Sequence, residues 1–346
     1  MKLLVITQKI DREDGVLGFF HGWVELMASK FTEVRVICLE KGSYNLPSNV
    51  SVYSLGKENG ASRVKYIINF YRYIWRNRNS YDAVFVHMNQ EYVLLGFPLW
   101  KILGKKIFLW RVHPLGTFLT DISVALSHKV FSTSPYAYVG RHKKTEIMPA
   151  GVDIEKFSPS GENRQNAILF LGRVAPIKRP EVLIDAMQNL VLHKRFCPNV
   201  VFVGNVSEKD EEYFKSLKKY VKERKISKYI SFQSAVPHTE VPSILRNYEF
   251  YVNATPTGSL DKTIFEAMAC GTIVITSNKA LKNILPNKLI FEEGDMHSLT
   301  RSLIAVFSMS QAERNDLGNT LRKYVVEHNG LTALIDKLYL TISKSI

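Results

Sequence analysis

Residues 249–277 constrain the fold most, because they combine two apolar strands with a polar loop and a short helix. Residues 250–252 form an apolar, β-rich run that ends in a loop containing Thr, Pro and Gly. An apolar helix pattern covers about 261–269, and the β-branched run 272–276 follows it directly. A strand, a helix and a strand in this order predict a βαβ unit with parallel strands. Its loop leads into a helix N-terminus, where free N–H groups and the helix dipole attract anions, so the segment predicts an anionic ligand.

Strand and helix patterns alternate along the rest of the chain. Strands are predicted at residues 2–7, 34–39, 50–55, 83–87, 106–111, 129–133, 167–171, 200–203 and 230–232. Helices are predicted at residues 19–31, 91–103, 117–127, 180–192 and 208–224. The last segment, residues 311–345, is predicted to form two helices and to contain no strand. This alternation predicts the α/β class, with parallel sheets wound on both faces.

The alternation restarts after residues 149–159, which are rich in Gly, Pro and acidic residues. We therefore expect an N-terminal domain at 1–158, a second domain at 159–328 and a C-terminal helix at 329–346 that packs back on the first domain. Tandem α/β domains place a cleft between the carboxyl ends of their sheets. Such a cleft suits a reaction with two substrates.

Composition narrows the class of protein and its partners. Hydrophobic residues make up 46% of the 346 residues and charged residues 23%, as in globular proteins. The net charge of +14 indicates an anionic partner, and its even spread over both halves argues against a nucleic-acid binder. The N-terminus lacks a signal-peptide pattern, no apolar run is long enough to span a membrane, and the three cysteines read as reduced core residues. These features predict a cytoplasmic protein.

Four motifs stand out in order along the chain: FLWRVH at 108–113, MPAGVDIEKFSP at 148–159, LFLGRVAPIKRPEVLIDAM at 169–187 and FEAMACGTIVIT at 265–276. In this order and spacing they resemble the retaining glycosyltransferases of the GT-B fold, family four. The resemblance covers nearly the whole chain. It implies two Rossmann-like domains facing a cleft, and transfer of a sugar from a nucleotide diphosphate-sugar to a hydroxyl acceptor with retention of configuration.

The resemblance implies three catalytic residues. Arg173 and Lys178 flank a turn that follows a strand, from which two cations can stabilise one departing diphosphate. The alternative is that Arg173 and Lys178 are solvated surface charges. Against this alternative, the dipole at a helix N-terminus repels cations, which makes it a poor place for cations without a ligand. His113 ends a strand, and the matching histidine of the family lies near the transferred sugar. The alternative is a core histidine.

Glu266 matches the family glutamate that holds the donor ribose, although Thr263 to Glu266 also fits a T-x-x-E capping box. The family has a second glutamate where this chain has Gly258. Asp261 and Lys262 are candidates for its role, and Asp261 is equally a candidate helix N-cap. The donor loop expected from the resemblance comprises Gly258, Ser259, Leu260, Asp261, Lys262 and Thr263.

Five other positions complete the expected site. Gly15 stands in a glycine loop that approaches the donor phosphate in the family, and its neighbour Asp14 is either a turn former or an acceptor-side residue. Asn205 and Val236 follow strands near the expected base pocket. His87 ends a strand and is expected on the acceptor side, or in the core.

Residues 61–80 mix basic and aromatic side chains on one helix. Such a helix either covers a sheet with a solvated basic face or contacts an anionic membrane, which would suggest a lipid-linked acceptor and a peripheral location on the inner membrane face. We expect a glycan or lipid-linked acceptor, no nucleic acid, and no cofactor beyond the nucleotide-sugar substrate. No D-x-D triplet occurs, which favours metal independence. The alternatives are a sugar-nucleotide epimerase or hydrolase, or a silent sugar-nucleotide-binding protein.

Overall fold

The computed structural model describes residues 1–160, 164–193, 195–258 and 260–346, and these form two compact units. The first unit comprises Met1–Gly151, Pro237–Thr239 and Leu331–Ile346; the second comprises Val152–Val236 and Glu240–Gly330. The chain thus passes from the first unit to the second at Gly151, slightly before the border expected at 158. The C-terminal segment belongs to the first unit.

The first unit is built on a seven-stranded parallel sheet. Its strands are β1 (Lys2–Ile10), β2 (Glu33–Lys41), β3 (Val50–Ser54), β4 (Ala83–His87), β5 (Lys106–Trp110), β6 (Lys129–Ser132) and β7 (Thr145–Ile147). They lie in the order β3-β2-β1-β4-β5-β6-β7. The helices are α1 (Phe19–Lys30), α2 (Arg63–Arg76), α3 (Glu91–Ile102), α4 (Phe118–Leu126) and the C-terminal helix (Leu331–Ser343).

Helices cover both faces of this sheet. In β1, Leu3 and Val5 pack into a core shared with α1 and the C-terminal helix. The alternate residues, Leu4 and Ile6, pack into a second core shared with α2, α3 and α4. Because neither face of the sheet is exposed, its strands are apolar throughout.

The second unit contains a five-stranded parallel sheet. Its strands are β8 (Gln165–Leu171), β9 (Val200–Val203), β10 (Ile230–Gln233), β11 (Tyr248–Asn253) and β12 (Ile273–Thr276), in the order β10-β9-β8-β11-β12. Its helices are α5 (Pro180–Leu192), α6 (Glu211–Glu223), α7 (Val241–Asn247), α8 (Lys262–Ala269), α9 (Met296–Phe307) and α10 (Gln311–His328). Helix α5 packs against α9, and α8 packs against α10.

The strand order reverses once in each sheet, between β1 and β4 and between β8 and β11. Loops on the two sides of such a point diverge and open a crevice at the carboxyl ends of the strands, where parallel α/β sheets bind ligands. The loops after β8 and β11 hold most of the residues that the sequence singles out.

Two further expectations concern cysteines and membrane spans. Cys38 and Cys270 are buried, as expected, but Cys197 is only half-buried, because it lies in the loop after α5. Among the helices of the described ranges, none combines the length and the apolar character needed to cross a bilayer.

Candidate functional site

The loops after β8 and β9 are held together by their backbones. The N–H of Val174 donates to the carbonyl oxygen of Asn205 over 3.0 Å. A Cβ at Gly204 would lie 1.8 Å from the carbonyl oxygen of Gly172, so only glycine permits this approach of the two strand ends. Arg173 and Asn205 are therefore neighbours at the crevice, and both side chains are exposed.

Lys178 and Asp261 form the centre of the site. The Lys178 Nζ donates to Asp261 Oδ2 over 2.5 Å, and both side chains are largely buried, at 18% and 16% exposed. Asn253 Nδ2 and Thr255 Oγ1 donate to the same oxygen, over 2.8 and 2.7 Å. Burial alone would raise the pKa of Asp261, but the Lys178 charge and these three hydrogen bonds hold the pKa of this carboxyl below its usual value.

Asp261 does not act as an ordinary helix cap. It occupies the N-cap position of α8, yet its side chain makes no capping hydrogen bond. Within the described part of the chain, the donors to its carboxylate all use Oδ2. These contacts fix the carboxylate through Oδ2.

The next turn of α8 carries a buried ion pair. Glu266 is 2% exposed, and the Lys262 Nζ lies 3.7 Å from its Oε1. Burial lowers the pKa of Lys262, against the opposing effect of the Glu266 and Asp153 charges. The T-x-x-E capping box is not formed, because α8 begins at Lys262 and Thr263 instead bonds the Tyr251 hydroxyl over 2.9 Å.

The backbone of the loop after β11 disfavours a glutamate at position 258, where the family has one. Gly258 is buried with φ +111°, a conformation that residues with a Cβ rarely adopt. Ahead of it, the Thr257 N–H donates to Glu293 Oε2 over 3.1 Å, and Glu293 Oε1 lies 3.3 Å from Arg179 Nη1. Glu293 therefore ties this loop to the loop that carries Lys178. Leu260 is half-buried, and Ser259 lies outside the described residues.

In the first unit, the loop after β1 is stabilised by Asp14. Its Oδ1 accepts the N–H groups of Val16 and Leu17 over 2.9 and 2.7 Å, and its Oδ2 lies 2.9 Å from Lys9 Nζ. Burial acts to raise the pKa of Asp14, but these hydrogen bonds and the Lys9 charge lower it overall. Asp14 thus stabilises a turn, with Gly15 exposed beside it, and an acceptor-side role for Asp14 stays a prediction.

The two candidate histidines differ in environment. His87 ends β4, is 2% exposed and stacks on Phe20 with ring centroids 4.1 Å apart. This is the environment of a core histidine, and an acceptor-side role for it stays a prediction. His113 follows β5 and is exposed; its Nδ1 lies 2.8 Å from the carbonyl oxygen and 3.0 Å from the amide nitrogen of Leu115.

The structure thus brings together some candidates and separates others. The second unit gathers Lys178, Asp261, Lys262, Thr263 and Glu266 at the N-terminus of α8, with Arg173 and Asn205 at the adjoining strand ends. Val236 follows β10 and is half-buried. The residues Asp14, Gly15, His87 and His113 lie at strand ends of the first unit.

Sequence reasoning missed three residues that shape the site: Asn253, Thr255 and Glu293. A polar Asn and Thr directly after an apolar strand were a visible signal for the first two. Within the described ranges, no group of three or more His, Cys, Asp or Glu residues is arranged to hold a metal ion.

Comparisons with known proteins agree with this architecture. The family model described as "Glycosyl transferases group 1" matches residues 152–324, half of the chain. A D-inositol 3-phosphate glycosyltransferase of Frankia alni is 28% identical over 147 residues, which are 39% of this chain and 36% of that protein. The putative glycosyltransferase YtcC of Bacillus subtilis is 22% identical over 87% of this chain and 70% of its own length.

Among solved structures, the crystal structure of Anabaena Alr3699/HepE in complex with UDP and glucose superimposes with a TM-score of 0.79 at 12% identity. The match covers 99% of this chain and 100% of that one. At this level of identity the similarity concerns the fold. The prediction of a GT-B fold with two Rossmann-like, parallel-sheet units is confirmed.

Proposed function

This chain belongs to the glycosyl transferases group 1 family, and we propose that it transfers a sugar from a nucleoside diphosphate-sugar to a hydroxyl group of an acceptor. The second unit binds the donor in the crevice between β8 and β11. The first unit presents the acceptor. The observation that carries this proposal is the fixed Lys178–Asp261 pair at the N-terminus of α8.

The cations at this crevice suit a diphosphate leaving group. Negative charge develops on the diphosphate as the bond between sugar and oxygen breaks, and positioned positive groups stabilise it. Lys178, Arg173 and the free N–H groups at the start of α8 supply that charge. Asp261 holds Lys178 in place, so little reorganisation is needed. These groups replace the charge that a metal would provide, and we propose a metal-independent reaction without a further cofactor.

The carboxylates of Asp261 and Glu266, at the N-cap and within α8, bind different parts of the donor. Glu266 binds the ribose hydroxyls, as the resemblance implies. Asp261 Oδ1 accepts hydrogen bonds from hydroxyl groups of the transferred sugar. In this role Asp261 takes the place of the family glutamate, whose position Gly258 occupies here. Its Oδ2 is held by three donors, so Oδ1 has a defined position. Lys262 keeps the Glu266 carboxylate paired in its buried position.

We propose retention of configuration, with departure of the diphosphate and attack of the acceptor on the same face of the sugar and no protein nucleophile. His113 contacts the transferred sugar, and its Nδ1 is already engaged by Leu115. The acceptor is a glycan or a lipid-linked hydroxyl compound, which places the enzyme in polysaccharide or glycolipid biosynthesis in the cytoplasm.

A panel of radiolabelled nucleotide sugars tests the activity, with and without candidate acceptors. UDP-sugars lead the panel, because the HepE structure was determined with UDP and glucose. Acceptor-dependent label transfer with release of nucleoside diphosphate supports the proposal. Sugar release without an acceptor indicates a hydrolase, and a changed sugar on an intact nucleotide indicates an epimerase. Donor binding without turnover on any acceptor would indicate a binding protein without transfer activity. The absence of the family glutamate at Gly258 is the reason to test this alternative.

A further inference from the structure

Helix α2 carries a row of exposed apolar side chains, one of which, Tyr71, also donates a hydrogen bond from its hydroxyl to the carbonyl oxygen of Leu95 over 2.7 Å. Val64, Ile67, Ile68, Tyr71 and Trp75 recur at intervals of three and four residues, so they lie on one side of the helix. Each of these residues is between 38% and 67% exposed. We refer to these five residues as the α2 stripe.

The fold does not need the α2 stripe. Helix α2 is anchored to the sheet by its other side, where Phe70 and Ile74 are fully buried. Single exposed apolar residues are common on protein surfaces, whereas a contiguous apolar row marks a surface that binds something. Five such residues on one helix therefore require an explanation other than packing.

The charged residues of α2 and of the turn that follows it are all positive. From residue 63 to residue 81 the chain has five basic residues and no acidic one: Arg63, Lys65, Arg72, Arg76 and Arg78. None of these five forms an ion pair with the residues that the structure describes. The Arg78 guanidinium lies over the Trp75 ring, 4.5 Å from its centroid, so a cation and an exposed aromatic ring stand together at the end of the helix.

We propose that α2 is a membrane-docking face that binds a surface rich in anionic lipids. An amphipathic helix lying in the membrane plane inserts its apolar side chains at the headgroup boundary, while its basic side chains pair with lipid phosphates. Tryptophan and tyrosine prefer this boundary, because their rings are apolar and their edges polar. The α2 stripe and its five cations supply each of these elements.

Charge favours a lipid surface over a second copy of the chain. A symmetric dimer formed through the α2 stripe would bring two identical faces together, each with five positive charges. That repulsion opposes pairing, whereas an anionic bilayer attracts the same charges. Docking through one helix without a membrane span is reversible and depends on ionic strength.

The four tryptophans provide a direct measurement. Trp23, Trp100 and Trp110 are at most 3% exposed, whereas Trp75 is 53% exposed. A blue shift of the tryptophan fluorescence on addition of vesicles therefore reports on Trp75. We expect this shift, and co-sedimentation of the protein, with vesicles of phosphatidylcholine and phosphatidylglycerol. We expect neither with pure phosphatidylcholine, and both should be reversed by high salt.

Two double variants separate the apolar and electrostatic contributions. Val64→Ser with Ile68→Ser keeps Trp75 and should weaken binding to anionic vesicles at least tenfold. Arg72→Gln with Arg76→Gln should weaken it roughly 30-fold and reduce its salt dependence. Leu340→Ser is the matched control, since Leu340 is 52% exposed on the C-terminal helix, which covers the opposite face of the same sheet. This control should bind like the original protein. Circular dichroism checks that each variant is folded.

Several outcomes would overturn the proposal. One is the absence of binding to anionic vesicles by the unchanged protein. Another is equal binding by both double variants and the Leu340→Ser control. Self-association that is lost in the Val64→Ser and Ile68→Ser variant would assign the α2 stripe to a second copy instead. Vesicle binding does not depend on sugar transfer, so this test stands apart from the test of the proposed function.

Discussion

Replacing Lys178 with Met is the most informative perturbation of the site. Methionine keeps much of the length and apolar volume of the lysine side chain but removes its ammonium group. That group is the charged donor, 2.5 Å from Oδ2, among the three donors to Asp261. The substitution therefore tests two ideas at once: that the pair stabilises the unliganded protein, and that the same cation stabilises the departing diphosphate.

The two effects have separate magnitudes. Removing one partner of a fully buried ion pair costs about 3–5 kcal/mol. Here both side chains are 16–18% exposed, and Asp261 keeps two neutral donors, so we expect a loss of about 2 kcal/mol in the free energy of unfolding. For catalysis, loss of one charged donor to the diphosphate should cost about 2–3 kcal/mol, which lowers kcat/KM roughly 30- to 150-fold.

A double-mutant cycle measures the pair itself. The variants are Lys178→Met, Asp261→Asn and the combination, each unfolded in urea at pH 7 without ligand and followed by far-UV circular dichroism. We expect a coupling energy of about 1–2 kcal/mol, because the two side chains are in direct contact. Lys219→Met is the matched control: Lys219 is 77% exposed on α6 with a glutamate 3.7 Å away. Its loss should change stability by less than about 0.5 kcal/mol.

The catalytic assignment rests on kinetics with the donor found in the panel. A kcat/KM of the Lys178→Met variant within twofold of the original enzyme would show that Lys178 does not act on the diphosphate. A coupling energy near zero would show that the Lys178–Asp261 contact does not stabilise the unliganded site. The two results are independent, so either idea can fail while the other holds.

Three other perturbations test single features. The pKa of Asp261 is lowered on folding, so its contribution to stability should be fully present above the ordinary aspartate pKa. That contribution should disappear as the pH falls through the lowered pKa. The difference in unfolding free energy between the original protein and the Asp261→Asn variant should therefore shrink in acid. Glu249→Gln should cost about 2–4 kcal/mol in urea unfolding, since it leaves Arg314, 2.9 Å away and 10% exposed, without its charged partner. Gly258→Glu, which restores the family glutamate, should lower the free energy of unfolding by about 1–2 kcal/mol without raising kcat/KM, because φ is +111° there; a gain in kcat/KM would contradict this account of the loop.

Most of the fold was predictable from hydrophobic patterns. All eleven predicted strand regions coincide with observed strands, because buried parallel strands are apolar throughout and helices with one apolar side alternate with them. Strand β7 has only three residues, and α7 starts with a Val-Pro pair in a short segment, so neither gave a periodic signal. Helix α9 was missed although its N-cap, Asp295, accepts hydrogen bonds from His297 and Ser298, which is a recognisable start signal.

The contacts within the candidate site were not predictable, although the sequence indicated several of its residues. The sequence indicated Lys178, Asp261 and Glu266 through motif and resemblance. It did not indicate that Lys178 and Asp261 bind each other, because they are 83 residues apart in the chain and meet only where β8 and β11 become neighbours in the sheet. The same holds for Glu293, which contacts Thr257 and Arg179 from a loop after β12. Long-range pairs of this kind depend on topology, which local patterns do not specify.

The conformation at Gly258 and the environment of Asp261 explain each other. A glutamate at position 258 would need a backbone conformation that residues with a Cβ adopt readily. The positive φ of Gly258 instead favours glycine. Three residues further on, Asp261 provides a carboxylate at the start of α8, where the helix dipole stabilises negative charge and Lys178, Asn253 and Thr255 fix its orientation. An aspartate used only as a cap would need none of these three donors. We therefore propose that Asp261, a shorter carboxylate held by three hydrogen bonds at the helix N-terminus, takes the place of the family glutamate. A carboxylate fixed in this way would discriminate among sugar hydroxyls by their position.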